Sequence, residues 1–160
     1  MKQRFKKIQN MENTTVATAK TFFSELEKET IVKAIQEAEK NTSGEIRLHL
    51  ENKCSRDPLH RAKEVFAELK MHKTELKNGV LIYIAVQDHQ IAIWGGEGIN
   101  YHVGQAFWED EVNIITSHFK AGKYTEGVSK AIIQVGENLK KYFPYINGDT
   151  NELPDEISIN

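Results

Sequence analysis

The stretch Val80-Leu81-Ile82-Tyr83-Ile84-Ala85-Val86 constrains this chain more than any other. Side chains of an extended segment point alternately to opposite faces, so an unbroken apolar run needs cover on both. Such a segment belongs at the centre of a layered α/β structure, not in a sheet with one wet face. After the short turn Gln87-Asp88-His89, the stretch Gln90 to Trp94 returns as an antiparallel partner.

The remaining elements fall around this hairpin. A helix is expected from Phe23 to Asn41: Ser24 and Glu27 have capping-box spacing, and Ile31, Ala34, Ile35 and Ala38 share one face. Glu45 to Glu51 alternates, with Ile46, Leu48 and Leu50 on one side and Arg47 and His49 on the other. That pattern predicts a strand with one well-buried face. Asp57-Pro58 opens a second helix with a buried stripe of Leu59, Ala62, Val65, Phe66 and Leu69. A third helical region ends near Phe119, Ala121-Gly122-Lys123 breaks it, and a last helix runs from Thr125 to about Tyr142. The order α-β-α-β-β-α-α makes the first two strands parallel, joined by a right-handed crossover. The expected fold is an α/β/α sandwich: two parallel strands plus an antiparallel hairpin strand, with helices on both faces.

At 160 residues the chain has the size of one domain. Residues 1–18 read as a flexible basic arm carrying Lys2, Arg4, Lys6 and Lys7, residues 19–146 as the ordered domain, and residues 147–160 as a loose acidic tail. A net charge of −2 gives no general attraction to nucleic acid, and none is expected as a partner. No apolar run approaches a membrane span and no signal segment follows the basic start, so a cytoplasmic monomer is expected. Cys54 stands alone, which excludes an internal disulfide, and it reads as a residue near solvent just past a strand.

Strand direction concentrates chemistry at one edge. The loops before Glu45, before Val80 and after Trp94 meet there, carrying Thr42, Ser43, Asn78, Glu97 and the run Gly95-Gly96-Glu97-Gly98. The third helical region starts from the same edge and brings Trp108, Glu109 and Asp110 towards it. Carboxylates, an amide oxygen and hydroxyls suit Ca²⁺ or Mg²⁺ better than zinc. No His pair has zinc-site spacing, and no Walker sequence, nucleophile elbow or dinucleotide fingerprint occurs.

Four stretches carry a family resemblance. Asn78-Gly79-Val80-Leu81-Ile82-Tyr83-Ile84-Ala85, Ile91-Ala92-Ile93-Trp94-Gly95-Gly96-Glu97-Gly98-Ile99 and Val103-Gly104-Gln105-Ala106-Phe107-Trp108 resemble the centre of a TPM domain. Phe119-Lys120-Ala121-Gly122-Lys123-Tyr124-Thr125-Glu126-Gly127 is similar to a later signature of that family, and the similarity spans about residues 22–144. The branch it resembles is the small bacterial one. The resemblance implies an α/β/α sandwich and, from some members, binding of a divalent cation, Ca²⁺ or Mg²⁺. Glu45, Asn78, Glu97, Glu109 and Asp110 are the expected metal-site residues. A plant member described as an acid phosphatase implies a second possibility, a metal-dependent phosphatase acting on phosphomonoesters. Exported members often carry Asp before the Asn-Gly, where this chain has Lys77. A ligand-free domain that binds a protein partner is the third reading.

Overall fold

The computed structural model describes residues 16–146 and 148–160. Most of the expected basic arm, residues 1–15, lies outside the described residues. In chain order the elements are α1 (Glu25–Glu39), β1 (Glu45–Glu51), α2 (Pro58–Glu68), β2 (Gly79–Ala85), β3 (Gln90–Gly95), the single turn α3 (Glu97–Asn100), α4 (Gln105–Lys120), α5 (Tyr124–Tyr142) and β4 (Ser158–Ile159). The sheet order is β3-β2-β1-β4. β1 runs parallel to β2, with Glu45 opposite Gly79 and Leu50 opposite Ile84, and β2 runs antiparallel to β3.

Local signals set the helix starts. The Ser24 hydroxyl accepts the Glu27 N–H at 3.1 Å, and the Glu27 carboxylate accepts the Ser24 N–H at 2.9 Å. These bonds satisfy two N–H groups that a helix start leaves orphaned. At α2 the Asp57 carboxylate accepts the His60 N–H at 3.1 Å, and Pro58 fills the first turn.

β2 is buried at every position, as its unbroken apolar run requires. Val80, Ile82 and Ile84 join Ile46, Leu48 and Leu50 in the larger core, beneath Ile31 and Ile35 of α1, Ile115 of α4 and Val128 and Ile132 of α5. Leu81, Tyr83 and Ala85 face the other way, against Ala62, Val65 and Phe66 of α2. Burying one such aliphatic side chain contributes about 1.5–3 kcal/mol, and this strand buries them on both faces.

Two expectations differ from what is found. β1 is buried at all seven positions, not on one face. The segment read as a loose acidic tail runs back along β1, and its Ser158 and Ile159 add a fourth, parallel strand opposite His49 and Leu50. Ile157 and Ile159 pack on the larger core and Leu153 on the smaller. Those three apolar side chains hold an otherwise acidic segment that covers the polar face of β1.

Candidate functional site

The expected edge exists. The Gly96 N–H donates to the Gly79 carbonyl at 2.8 Å, and the Glu45 N–H donates to the Asn78 carbonyl at 3.3 Å. The loop ends carrying Glu97, Asn78 and Glu45 thus stand in a row across β3, β2 and β1. Glycine permits the close approach on one side: a Cβ on Gly98 would lie 2.1 Å from the Leu76 carbonyl oxygen. The Gly98 N–H instead donates to Lys77 O at 2.8 Å.

Glu45 is the chemical focus of this edge. It is 2% exposed, and its Oε1 accepts the Glu152 N–H at 2.6 Å, while its Oε2 is buried without a partner. Glu39, at the end of α1, reaches the same place and accepts the Ile46 N–H through Oε2 at 2.7 Å. Asp155 completes the group by hydrogen bonding to the Glu39 side chain. Burial pushes both the Glu39 and Glu45 carboxyls up from the ordinary range, and the neighbouring carboxylates add to it. The group borders a cleft of about 300 Å³, also lined by Lys40, Ser43, Tyr145, Asp149 and Asn151.

The other expected residues are distributed differently. Asn78 is fully buried beside Glu45, with Nδ2 donating to the Ser43 hydroxyl at 3.4 Å and Oδ1 unpartnered. Glu97 is exposed at the start of α3 and borders a separate cleft of about 470 Å³ with Lys63, His72 and Lys77. Glu109 and Asp110 are exposed on α4, and Glu109 borders a third cleft with Asp57 and Asn113. So the fold joins Glu45 to Asn78 and leaves Glu97 and Glu109 in other clefts. Among the described residues no group of three or more His, Cys, Asp or Glu side chains stands in metal-binding geometry.

Glu39, Glu152 and Asp155 were not expected at the site. Glu39 precedes Glu45 by six residues across the helix break, so its nearness was open to inference. Nothing in the acidic run 149–156 shows which carboxylate turns inward.

The TPM domain profile matches residues 16–138, most of the chain. The chain belongs to the TPM domain family. This TPM domain is similar to the BA42 protein of the psychrophilic bacterium Bizionia argentinensis, at 47% identity, with 87% of this chain and 96% of that one covered and a TM-score of 0.81. Two further solved structures share the fold. The N-terminal domain of a P. gingivalis protein is 14% identical, with 76% of this chain and 79% of that one covered and a TM-score of 0.65. The N-terminal domain of cg2496 from Corynebacterium glutamicum is 15% identical, with 72% of each chain covered and a TM-score of 0.58. Among curated proteins there is no match.

In this TPM domain the polar face of β1 continues from Glu45 as a ladder. The Arg47 guanidinium donates to the Glu156 carbonyl at 3.4 Å, His49 Nδ1 pairs with the Ser158 hydroxyl at 2.9 Å, and Asn160 Nδ2 donates to Glu51 Oε1 at 3.0 Å. Glu51 also accepts from Arg61 Nε at 3.0 Å and from the Tyr83 hydroxyl at 2.6 Å. Burial alone would raise the Glu51 carboxyl, but bonds from Arg61, Tyr83, Asn160 and His49 outweigh it and hold it at about 2. Burial lowers the His49 imidazole from its ordinary value, against the opposing pull of the adjacent Glu51 carboxylate. Among the described residues, no helix is long and apolar enough to cross a membrane.

Proposed function

We propose that this TPM domain is a divalent-cation-binding module, with Ca²⁺ or Mg²⁺ held in the cleft at the start of β1 by Glu45, Glu39 and Asp155. One observation carries the reading: Glu45 Oε2 is buried in an acidic neighbourhood with no neutral or cationic donor bonded to it, and the Glu39 carboxyl stands beside it. Leaving a buried carboxylate oxygen unsatisfied is costly, and like charges nearby add to the cost. A bound cation removes both penalties. The donors are all oxygen, which fits a hard cation. Asn78 Oδ1, a second orphaned buried oxygen behind Ser43, supports the same edge. The cation would supply charge neutralisation, and the module would act as a binding or accessory unit.

The test is a Ca²⁺ and Mg²⁺ titration followed by backbone amide NMR. Shifts centred on Glu39, Glu45 and Asp155, lost in Glu45→Gln, are expected. Shifts confined to Glu97 or to the start of α4 would move the site elsewhere, and no shifts would remove it.

A further inference from the structure

β3 forms one edge of the sheet, and its register with β2 settles which way its peptide groups point. The Gly96 N–H donates to the Gly79 carbonyl, and Gly95, Ile93 and Ile91 stand opposite Val80, Ile82 and Ile84. In an antiparallel pair, alternate residues turn both peptide groups towards the partner strand, and the residues between turn theirs away. The bond at Gly96 therefore aims the groups of Trp94 and Ala92 at β2 and those of Gly95, Ile93 and Ile91 out of the sheet. The Gly95 carbonyl agrees, since it accepts from Asn100 Nδ2 at 2.9 Å. Among the described residues, the N–H and C=O of Ile91 and Ile93 have no hydrogen-bond partner. Ile93 is only 3% exposed, so water reaches its peptide groups poorly. Peptide groups left unpaired in such a place are costly.

This edge is the floor of a groove. Two adjoining clefts of about 280 and 250 Å³ share Leu59, Ile93, Gln105 and Trp108, with the start of α2 on one side and the start of α4 on the other. Edge strands are commonly guarded by Lys, Pro or a bulge. Gln90 to Gly95 has no charged residue and no Pro, and its register with β2 is unbroken. The rim carries Asp57 and Glu109, while no Lys or Arg lines either cleft. We propose that this groove docks an extended, basic peptide segment of a partner protein, which joins the sheet beside β3. The occupant follows from the chemistry. Pairing with Ile91 and Ile93 takes a backbone in extended form, over about five residues. Leu59 and Trp108 offer an apolar contact, and a Lys or Arg of the segment matches Asp57 and Glu109. A second copy of this chain matches the backbone but brings its own Asp57 and Glu109 to a groove that lacks a cation. The cation cleft at Glu45 shares no residue with this groove, and the proposal stands without it.

The probe is the blocked peptide acetyl-Lys-Val-Thr-Val-Lys-amide, titrated into the isotope-labelled full chain and followed by amide NMR. Saturable shifts of the Ile91 and Ile93 amides are expected. At a peptide concentration about ten times its Kd, exchange of both amides should slow about tenfold. The same peptide N-methylated at its three central residues keeps its side chains but loses its donors, and should not bind. Replacing both lysines of the peptide by Glu should weaken binding about fivefold. Asp57→Asn/Glu109→Gln, in which Asn still caps α2, should erase that preference. No shift of either amide at about 1 mM peptide, where even weak pairing registers, would overturn the site. Equal binding by the N-methylated peptide would overturn strand addition, and equal binding by the Glu peptide would overturn the basic partner. Slow exchange of Ile91 and Ile93 in the dilute chain alone would show the groove filled by the chain itself. Protection that rises with protein concentration alone would assign it to a second copy. Either result overturns the partner segment.

Discussion

The Glu45 carboxylate accepts the backbone N–H of Glu152 at 2.6 Å, across 107 positions of sequence. That bond ties the first residue of β1 to a segment that is itself acidic. The bond is favourable, yet it brings the charges of Glu152 and Asp155 close to Glu39 and Glu45. Stability near the cleft therefore depends on what neutralises the group.

Without a cation, the neutral isostere Glu39→Gln should stabilise the chain at alkaline pH. The folded Glu39 and Glu45 carboxyls lie above their ordinary values, because burial and nearby carboxylates disfavour the charged forms. The folded state thus holds protons that the unfolded chain releases above about pH 4.5, and stability falls as pH rises from there. At pH 8 in a chelating buffer, Glu39→Gln should gain about 1 kcal/mol, or roughly 2–4 °C in Tm. In saturating Ca²⁺ the sign should reverse, because the variant loses a ligand charge. Thermal melts of both proteins in both buffers decide this.

The hairpin, the parallel pair and every long helix were legible because each rests on a local pattern: the run from Val80 to Val86, the alternation from Glu45 to Glu51, the Ser24 and Asp57 caps. The edge carrying Glu45 and Asn78 followed from strand direction alone. The covering of β1 was not legible. Arg47 and His49 read as solvent-facing because their partners, Glu156 and Ser158, lie 109 residues away in each case. Three apolar anchors in an acidic tail leave no periodic signal. For the same reason Asp155 was missed as a neighbour of Glu39.

Glu51→Gln should destabilise the protein by about 3 kcal/mol in urea unfolding, the cost of breaking a buried charge pair by removing one partner. Arg61 would keep only Glu64 and Glu68 on its outer side. The pH dependence follows from the Glu51 carboxyl, depressed to about 2. Its contribution is complete above the unfolded value near 4.5 and is lost as pH falls towards 2. The variant's stability should therefore fall less steeply than the parent's between pH 4.5 and 2.

Glycine substitutions should separate a rigid contact from a yielding one. An added Cβ at Gly98 would meet the backbone oxygens of Leu76 and Lys77 at 2.1 and 2.8 Å, whereas at Gly44 it would meet the Leu139 side-chain methyls at 2.9 Å. A side-chain end can rotate away, but two packed loops cannot. Gly98→Ala should cost about 3 kcal/mol or more, and Gly44→Ala about 1 kcal/mol, in chemical unfolding. Equal costs would mean that the loop before β2 has more freedom than its contacts with Gly96 and Gly98 imply.

The double variant Glu109→Gln/Asp110→Asn should leave Ca²⁺ affinity within about twofold of the parent. Both side chains are exposed on α4, and Glu109 borders a cleft that shares no residue with the one beside Glu45. Their charge reaches the cleft only through solvent, where physiological salt screens beyond about 8 Å. Glu45→Gln removes a charge from a side chain that is 2% exposed and should abolish measurable binding in the same titration. Calorimetry on the three proteins separates the two placements. Loss of affinity in the α4 variant, with Glu45→Gln unchanged, would put the cation at the start of α4 and leave the acidic cleft to hold only its protons.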